Sequence, residues 1–213
     1  MDLFLFLVFA YLLGFPTGYI LVRAKTGKDI RKDFSTGSSS SGSTNVSRVL
    51  GPKWGILSGV IDVAKAAICV WTALDLFKGW TVGLVGIAAV LGNLYPVLIP
   101  PPKLKGGKGV ATTSGSIIPV LIVTSQYYQP WHAAILVGIV ISWISLIFVF
   151  RKGKNRWMVI PSTFLSVGIV TFVTITREMT SLGYVLSVFL MCALVLWAHR
   201  ENFRSLKRKR ATG

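Results

Sequence analysis

Residues 3–22 read LFLFLVFAYLLGFPTGYILV, a run of 20 positions without a charged side chain. A helix rises about 1.5 Å per residue and the hydrocarbon core of a bilayer is about 30 Å thick, so a run of this length can cross it. We therefore interpret 3–22 as a membrane-spanning helix. Because Asp2 stands where a secretory signal would carry a basic leader, we expect a permanent span rather than a cleaved segment.

Six further apolar runs along the chain predict six more spans. Five of them are uncharged, and the run 54–74 contains only Asp62 and Lys65. The six runs cover residues 54–74, 80–100, 110–128, 131–150, 157–176 and 182–198. The sequence thus predicts an all-α integral membrane protein, in which seven transmembrane helices form a single domain over residues 1–213.

The overall composition agrees with this fold class and excludes two others. Hydrophobic residues make up 53% of the chain, charged residues 14%, and the mean hydropathy is +0.65. Soluble domains carry about 25% charged residues, and disordered chains have far fewer apolar ones. The two cysteines, Cys69 and Cys192, fall inside predicted spans, so we expect packing residues rather than a disulfide or a metal site.

The net charge of +16 is explained by topology and does not require a nucleic-acid partner. Of the 23 Lys and Arg residues, 20 lie in segments 23–53, 101–109, 151–156 and 200–213. Seven spans place these four segments on one side, and the positive-inside rule makes that side cytoplasmic. We predict an outer N-terminus and a cytoplasmic C-terminus, with the basic tail 203–213 near anionic lipid head groups.

Residues 37–48, GSSSSGSTNVSR, form the first cytoplasmic segment with binding chemistry. Small residues allow close backbone approach, hydroxyl and amide groups offer hydrogen bonds, and Arg48 can grip a phosphate with two parallel bonds. Composition alone favours a flexible Ser/Gly linker, whereas Thr44, Asn45 and Arg48 favour a binding site.

Residues 105–112, KGGKGVAT, form the second such segment and open a predicted span. Successive glycines allow consecutive N–H groups to face one concavity, and Lys108 and the helix dipole would both attract an anion there. Gly109 after Lys108 excludes a Walker A loop. The alternatives are a phosphate site and a simple basic turn, and the local chemistry favours the phosphate site.

Polar residues also occur at the end of the last span and inside the second. His199 and Asn202 share a helix face at the boundary, where a histidine can serve as a base, a phosphate ligand or merely an interfacial residue. Asp62 and Lys65 are three residues apart within a span, and intramembrane charges usually face a partner or a polar cavity. They either pair with each other or support a site from below.

Taken together, the three segments resemble the bacterial integral-membrane acyl-phosphate:glycerol-3-phosphate acyltransferases, the PlsY family. The second segment matches the family motif completely, while the third matches at His199, Arg200 and Asn202. The first segment matches at Gly37, Ser38, Gly42, Thr44, Asn45, Val46 and Arg48. The chain departs from the family at Asn93, which replaces a histidine, and in a longer stretch 97–104 with three prolines. Smaller departures are the serines at 39, 40 and 43 in the first segment and Arg204, one place early, in the third.

This resemblance implies an acyl transfer from acyl phosphate to the 1-hydroxyl of glycerol 3-phosphate. The products would be 1-acyl-glycerol 3-phosphate (lysophosphatidic acid) and phosphate, the first step of phospholipid synthesis. It also implies a multi-pass protein of the plasma or inner membrane with a cytoplasmic active site, membrane lipid as its surroundings, and no cofactor, metal or nucleic acid. A monomer is compatible with all of this.

Roles for individual residues follow from the same resemblance. It implies the catalytic residues Ser38, Arg48, Lys108, His199 and Asn202. It implies contacts to substrate from Thr44, Asn45, Gly106, Gly107, Gly109 and Asn93, and support from Asp62 and Lys65. The hydroxyl proton would pass to a substrate phosphate oxygen or to His199, and a covalent intermediate on Ser38 is a third route. Two other functions stay open: acylation of another phosphorylated polyol, and phosphate binding or transport without catalysis.

Overall fold

The structure, a computed structural model, describes residues 2–34, 39–98, 106–128 and 182–211. Within these ranges all regular secondary structure is α-helical, which confirms the predicted all-α class. The helices are α1 (Leu3–Leu13), α2 (Thr17–Thr26), α3 (Ser43–Leu50), α4 (Pro52–Leu76), α5 (Trp80–Leu94), α6 (Val110–Tyr128) and α7 (Leu182–Ala211). The spans predicted over 131–150 and 157–176 lie outside the described residues.

Helix length alone identifies fewer spans than the sequence predicts. Among the described residues, only α4 is long and apolar enough to cross a membrane by itself, and α1 and α2 qualify together as a pair bent by 43°. Helix α5 ends at Leu94 rather than at residue 100, since Pro96 disfavours helical geometry at Tyr95. Helix α6 spans its predicted range with Pro119 inside it.

The first predicted span, 3–22, is two helices rather than one. Pro16 lacks an N–H and cannot continue a helix from α1, so the chain breaks at residues 14–16 and restarts at Thr17. The Asp62 carboxylate of α4 accepts hydrogen bonds from the Thr17 hydroxyl at 2.6 Å and from the Thr17 N–H at 3.2 Å. The Lys65 ammonium donates to the Phe15 carbonyl inside the break.

Asp62 and Lys65 also pair with each other, 2.9 Å apart. They form an ion pair, as one alternative predicts, and the pair holds the polar backbone groups exposed by the break. Support of a site from below stays a prediction. Such a break is tolerated in an apolar setting only when neighbouring groups satisfy the freed N–H and C=O.

The Ser/Gly-rich segment is not a flexible linker in its described part. Residues 43–50 form α3, which lies against the first turns of α4. A Cβ at Gly55 would lie 1.7 Å from Ser47 Oγ, so the two helices approach as closely as glycine and serine allow. The linker interpretation is wrong here because small residues are used for packing between helices.

Small residues set the other close helix contacts as well. A Cβ at Gly14 would lie 2.1 Å from the Ala89 carbonyl oxygen, where α1 meets α5. A Cβ at Gly115 would lie 2.2 Å from the Val63 carbonyl oxygen, where α6 meets α4. The apolar core between these helices includes Phe6, Ala10, Cys69, Val70, Val85, Val90, Ile117, Val188 and Met191.

Candidate active site

The first and second polar segments meet at one hydrogen bond. The Ser41 N–H donates to the Gly106 carbonyl at 3.0 Å, and Ser41 is completely buried. The Ser41 carbonyl faces Gly18 of α2, where a Cβ would lie 2.1 Å away. The start of α2, the approach to α3 and the turn before α6 therefore lie at the same end of the helical bundle.

The turn 106–109 is fastened to the end of α5. The N–H of Gly106 donates to the Leu94 carbonyl at 2.9 Å, and that of Gly107 donates to the Asn93 carbonyl at 2.8 Å. The Gly109 N–H donates to the Asn93 side-chain oxygen at 3.2 Å. The first two bonds satisfy backbone carbonyls that the end of a helix leaves without partners.

This fastening corrects part of the predicted phosphate site. The N–H groups of Gly106, Gly107 and Gly109 bond to α5, so they do not line a common concavity for an anion. The predicted nest is wrong for these three amides because the turn caps a neighbouring helix. The turn still contributes the cation of Lys108, which lies between two hydrogen-bonded glycines, and the N-terminus of α6, which follows the turn directly.

His199 enters the same region from α7. It is only 7% exposed, and its Nδ1 lies 2.9 Å from the Val195 carbonyl oxygen one turn earlier. A carbonyl only accepts hydrogen bonds, so Nδ1 carries the proton and the neutral ring presents Nε2 as an acceptor. Val195 also lies against the glycine turn, since a Cβ at Gly109 would be 3.2 Å from its side chain.

The charge state of His199 follows from this environment. Burial is the main cause that lowers the pKa of His199 to about 4; the hydrogen bond to Val195 acts against it, and the Lys108 cation lowers it further. His199 follows the predicted span, which ends at residue 198. In the free protein the imidazole is therefore neutral at pH 7.

We predict that His199 does not titrate near its ordinary pKa of about 6.5. The unfolded chain binds a proton between about pH 6.5 and 4 that the folded chain does not, so stability falls as the pH falls through this window. Imidazole NMR signals in a His132→Gln variant, which leaves a single histidine, should stay those of the neutral ring down to pH 5.5. A midpoint at or above pH 6.5 would contradict the assignment.

The other predicted site residues fall into three groups: buried, exposed, and those whose side chains the structure does not describe. Asn45 is buried and donates from its side chain to the Ser40 carbonyl at 2.7 Å, so it braces the approach to α3. Thr44 and Arg48 are exposed on the first and last turns of α3. Ser38 lies outside the described residues, and the structure describes Asn202 only as a position in α7.

Sequence reasoning missed Ser41 and misjudged Arg31. Ser41 is the last of four consecutive serines, 38–41, and no local signal marked it as the link between the two segments. Arg31 was counted only as one basic residue of segment 23–53, but its side chain is 0% exposed and pairs with Asp29 at 2.7 Å. The Arg31 guanidinium also lies 5.0 Å from the Tyr19 ring of α2, so it fixes the chain between α2 and α3.

Burial raises the pKa of the Asp29 carboxyl, but the hydrogen bonds and charge of Arg31 outweigh burial and hold that pKa below its usual value. Asp29 is therefore ionised at neutral pH, and the buried Arg31 keeps a charged partner. The short spacing of Asp29 and Arg31 was the one sequence signal for this pair.

In the described residues, fold and site together define a helical protein with Ser41, Asn93, Lys108 and His199 gathered at one end of its bundle. A profile of the family described as glycerol-3-phosphate acyltransferase matches residues 4–209. The chain belongs to this family, as the sequence resemblance predicts.

Individual relatives agree with the family match. The chain is 33% identical to the glycerol-3-phosphate acyltransferase of Maridesulfovibrio salexigens, over 95% of this chain and 92% of that protein. It is 37% identical to the glycerol-3-phosphate acyltransferase of Geotalea daltonii, over 93% of this chain and 90% of that protein.

Solved structures extend the similarity to the fold. The glycerol 3-phosphate form of PlsY (YgiH), an integral membrane glycerol 3-phosphate acyltransferase, superimposes with a TM-score of 0.73 at 28% identity. That comparison covers 98% of this chain and 93% of the crystal structure's chain. The lysophosphatidic acid form of the same enzyme gives a TM-score of 0.71 at 26% identity.

Proposed function

We propose that this protein transfers an acyl group from acyl phosphate to the 1-hydroxyl of glycerol 3-phosphate. The observation that carries the proposal is the meeting of Lys108, His199 and the start of α6 beside the Ser41–Gly106 bond, which joins segments from separate helices. Family membership supports the acyltransferase class, and the glycerol 3-phosphate and lysophosphatidic acid forms of PlsY support this acceptor and product.

In the proposed reaction, the acceptor hydroxyl oxygen forms a bond to the acyl carbon and the bond from that carbon to the phosphate oxygen breaks. Inorganic phosphate leaves with the electron pair. Because an acyl phosphate is already activated, the protein has mainly to position two anions and neutralise their charge. Lys108 and Arg48 supply cations for this purpose, and no metal or other cofactor is required.

The hydroxyl proton has two acceptors consistent with the geometry. One is a phosphate oxygen of the substrate, and the other is Nε2 of His199, which the Val195 hydrogen bond leaves as an acceptor. The low pKa makes His199 a weak base in the free protein. A bound phosphate anion nearby would raise that pKa and strengthen the base.

The remaining assignments come from the family resemblance. We assign Ser38 and Asn202 to contacts with glycerol 3-phosphate, and Thr44 and Asn45 to shaping the first segment. The resemblance implies substrate contacts for Gly106, Gly107, Gly109 and Asn93. We replace that assignment with a supporting role, because their hydrogen bonds hold the turn that carries Lys108. Asp62 and Lys65 support the site through α2, whose Gly18 lies against Ser41.

We further propose that the site faces the cytoplasm from the plasma or inner membrane, with seven spans. The clustering of basic residues on alternate segments supports this orientation. A membrane-impermeant maleimide applied to intact spheroplasts should label Lys78→Cys and spare Lys53→Cys until the membrane is permeabilised. The opposite pattern would overturn the topology.

The purified protein tests the reaction directly. Given acyl phosphate and glycerol 3-phosphate in detergent or proteoliposomes, it should release phosphate and form lysophosphatidic acid in equal amounts. A panel of other phosphorylated polyols serves as the acceptor control. Clear preference for another acceptor would move the activity to a divergent member of the family, and movement of a phosphate ester into liposomes without any lysolipid would make the protein a transporter.

A further inference from the structure

Asn93 contacts the glycine turn through its backbone and its side chain together. It is the penultimate residue of α5 and only 3% exposed. Its carbonyl accepts from Gly107, and its side-chain oxygen accepts from Gly109, so the side chain continues a row of bonds that Leu94 and Gly106 begin. An amide oxygen here acts as one further helix carbonyl.

These bonds determine where Lys108 stands. Lys108 lies between Gly107 and Gly109, and Asn93 fixes the N–H groups of both neighbours. Gly109 has a φ of +77°, a left-handed conformation that glycine adopts without strain and that starts α6. Losing the bond to Gly109 would free both the lysine backbone and the first turn of α6.

The same contact explains why Gly107 is a glycine. A Cβ at Gly107 would lie 2.2 Å from the Asn93 side-chain oxygen, and the next two nearest atoms also belong to that side chain. At Gly106 the obstacle differs, because a Cβ there would lie 2.1 Å from the Asn93 backbone carbonyl and 2.7 Å from Pro96. Packing against α5, rather than approach to a ligand, requires both glycines.

We propose that Asn93 is a positioning residue: it holds the turn 106–109, and thereby Lys108, in place, and its side chain occupies the space a Gly107 side chain would need. The kinetic test of this proposal rests on the proposed function, whereas its structural test does not depend on activity. It gives Asn93 a role through Lys108 in place of direct contact with substrate.

The two glycines provide a matched test in the full-length protein. Gly107→Ala should lower kcat by on the order of 100-fold, the cost of misplacing a reacting group by about 1 Å, and Asn93→Ala should do the same. In the double variant the clash is gone, so kcat should be no lower than in Asn93→Ala alone. Adding Asn93→Ala to Gly106→Ala should not restore any kcat, because the atoms that block a side chain at Gly106 are a backbone carbonyl and Pro96.

Hydrogen exchange supplies a readout that does not depend on activity. In Asn93→Ala the amides of 106–109 should exchange about tenfold faster or more, while Asn93→Asp, which keeps the acceptor oxygen, should retain protection. Val90→Ala, a core change one turn earlier in α5, should lower the melting temperature without this local effect.

Each outcome has a distinct meaning. The positioning role would be overturned if the losses of kcat in Gly107→Ala and Asn93→Ala multiplied in the double variant. It would also be overturned if amide exchange at 106–109 were unchanged in Asn93→Ala. Failure of the wild-type protein to form lysophosphatidic acid would overturn the proposed function instead, and the exchange result would still decide whether Asn93 holds the turn.

Discussion

Lys108→Met should lower kcat/KM for acyl transfer by about 100- to 1,000-fold while the protein remains folded. Methionine keeps most of the apolar stem of lysine but removes the cation that we assign to the phosphate groups of the substrates. A preorganised donor aimed at developing charge contributes roughly 3–4 kcal/mol to transition-state stabilisation in other enzymes. Initial rates of phosphate release measure the effect directly.

The matched control is Lys53→Met. Lys53 is an exposed lysine in the first turn of α4 and lies in a different basic segment, 23–53, so its loss changes the net charge equally. We expect Lys53→Met to retain the wild-type rate. Arg48→Ala should resemble Lys108→Met, and near-wild-type rates in both would show that the assigned site is not where the reaction takes place.

A second measurement on Lys108→Met tests whether the Lys108 cation lies close enough to His199 to affect the pKa of the imidazole. The Lys108 cation contributes to lowering the pKa of His199, so its removal should raise that pKa. The imidazole signals of the variant should then begin to titrate at a higher pH than those of the wild type. An unchanged titration would mean that the two side chains do not share one electrostatic environment.

The helical class could be predicted because uncharged runs of about 20 residues have few alternatives. The break at residues 14–16 could not be predicted in the same way. Pro16 marks a possible interruption, but whether a helix kinks or divides depends on partners for the freed backbone groups. Those partners, Asp62 and Lys65, are more than 40 positions away in the sequence.

The site shows the same division between local and distant information. The glycines and Lys108 predict a phosphate site from their own residues. The direction of their N–H groups could not be predicted in this way, since Asn93 and Leu94 of α5 accept bonds from three of them. Glycine supplies freedom to adopt many backbone conformations, and the neighbouring helix selects one of them.

Arg31 illustrates a limit of reading charge from sequence. The positive-inside rule uses the number of basic residues and is indifferent to whether each one is exposed. A buried guanidinium needs a partner for its charge, and Asp29 two residues earlier provides one with hydrogen bonds of 2.7–2.9 Å from the side chain. The acidic neighbour, rather than the basic count, indicates burial at this position.

Asp62→Ala should lower the free energy of unfolding by about 3–5 kcal/mol, the usual cost of leaving one partner of a buried ion pair unpaired. Asp62 is only 4% exposed, and its carboxylate accepts two hydrogen bonds from Thr17 and pairs with Lys65. Its loss leaves the ammonium of Lys65 with the Phe15 carbonyl as its one partner among the described residues, and removes the partner of the first α2 amide. Unfolding in mixed detergent micelles measures the change.

The double variant Asp62→Ala/Lys65→Met distinguishes an ion pair from general packing. Because it removes the stranded charge, it should be more stable than Asp62→Ala, which a double-mutant cycle reports as a coupling energy.

Asp75→Ala, at an exposed acid near the end of α4, controls for the change in charge and should unfold like the wild type. Asp62→Ala should also lower the rate, since α2 carries Gly18 against Ser41. Equal stability of Asp62→Ala and Asp75→Ala would show that the break between α1 and α2 does not depend on this pair.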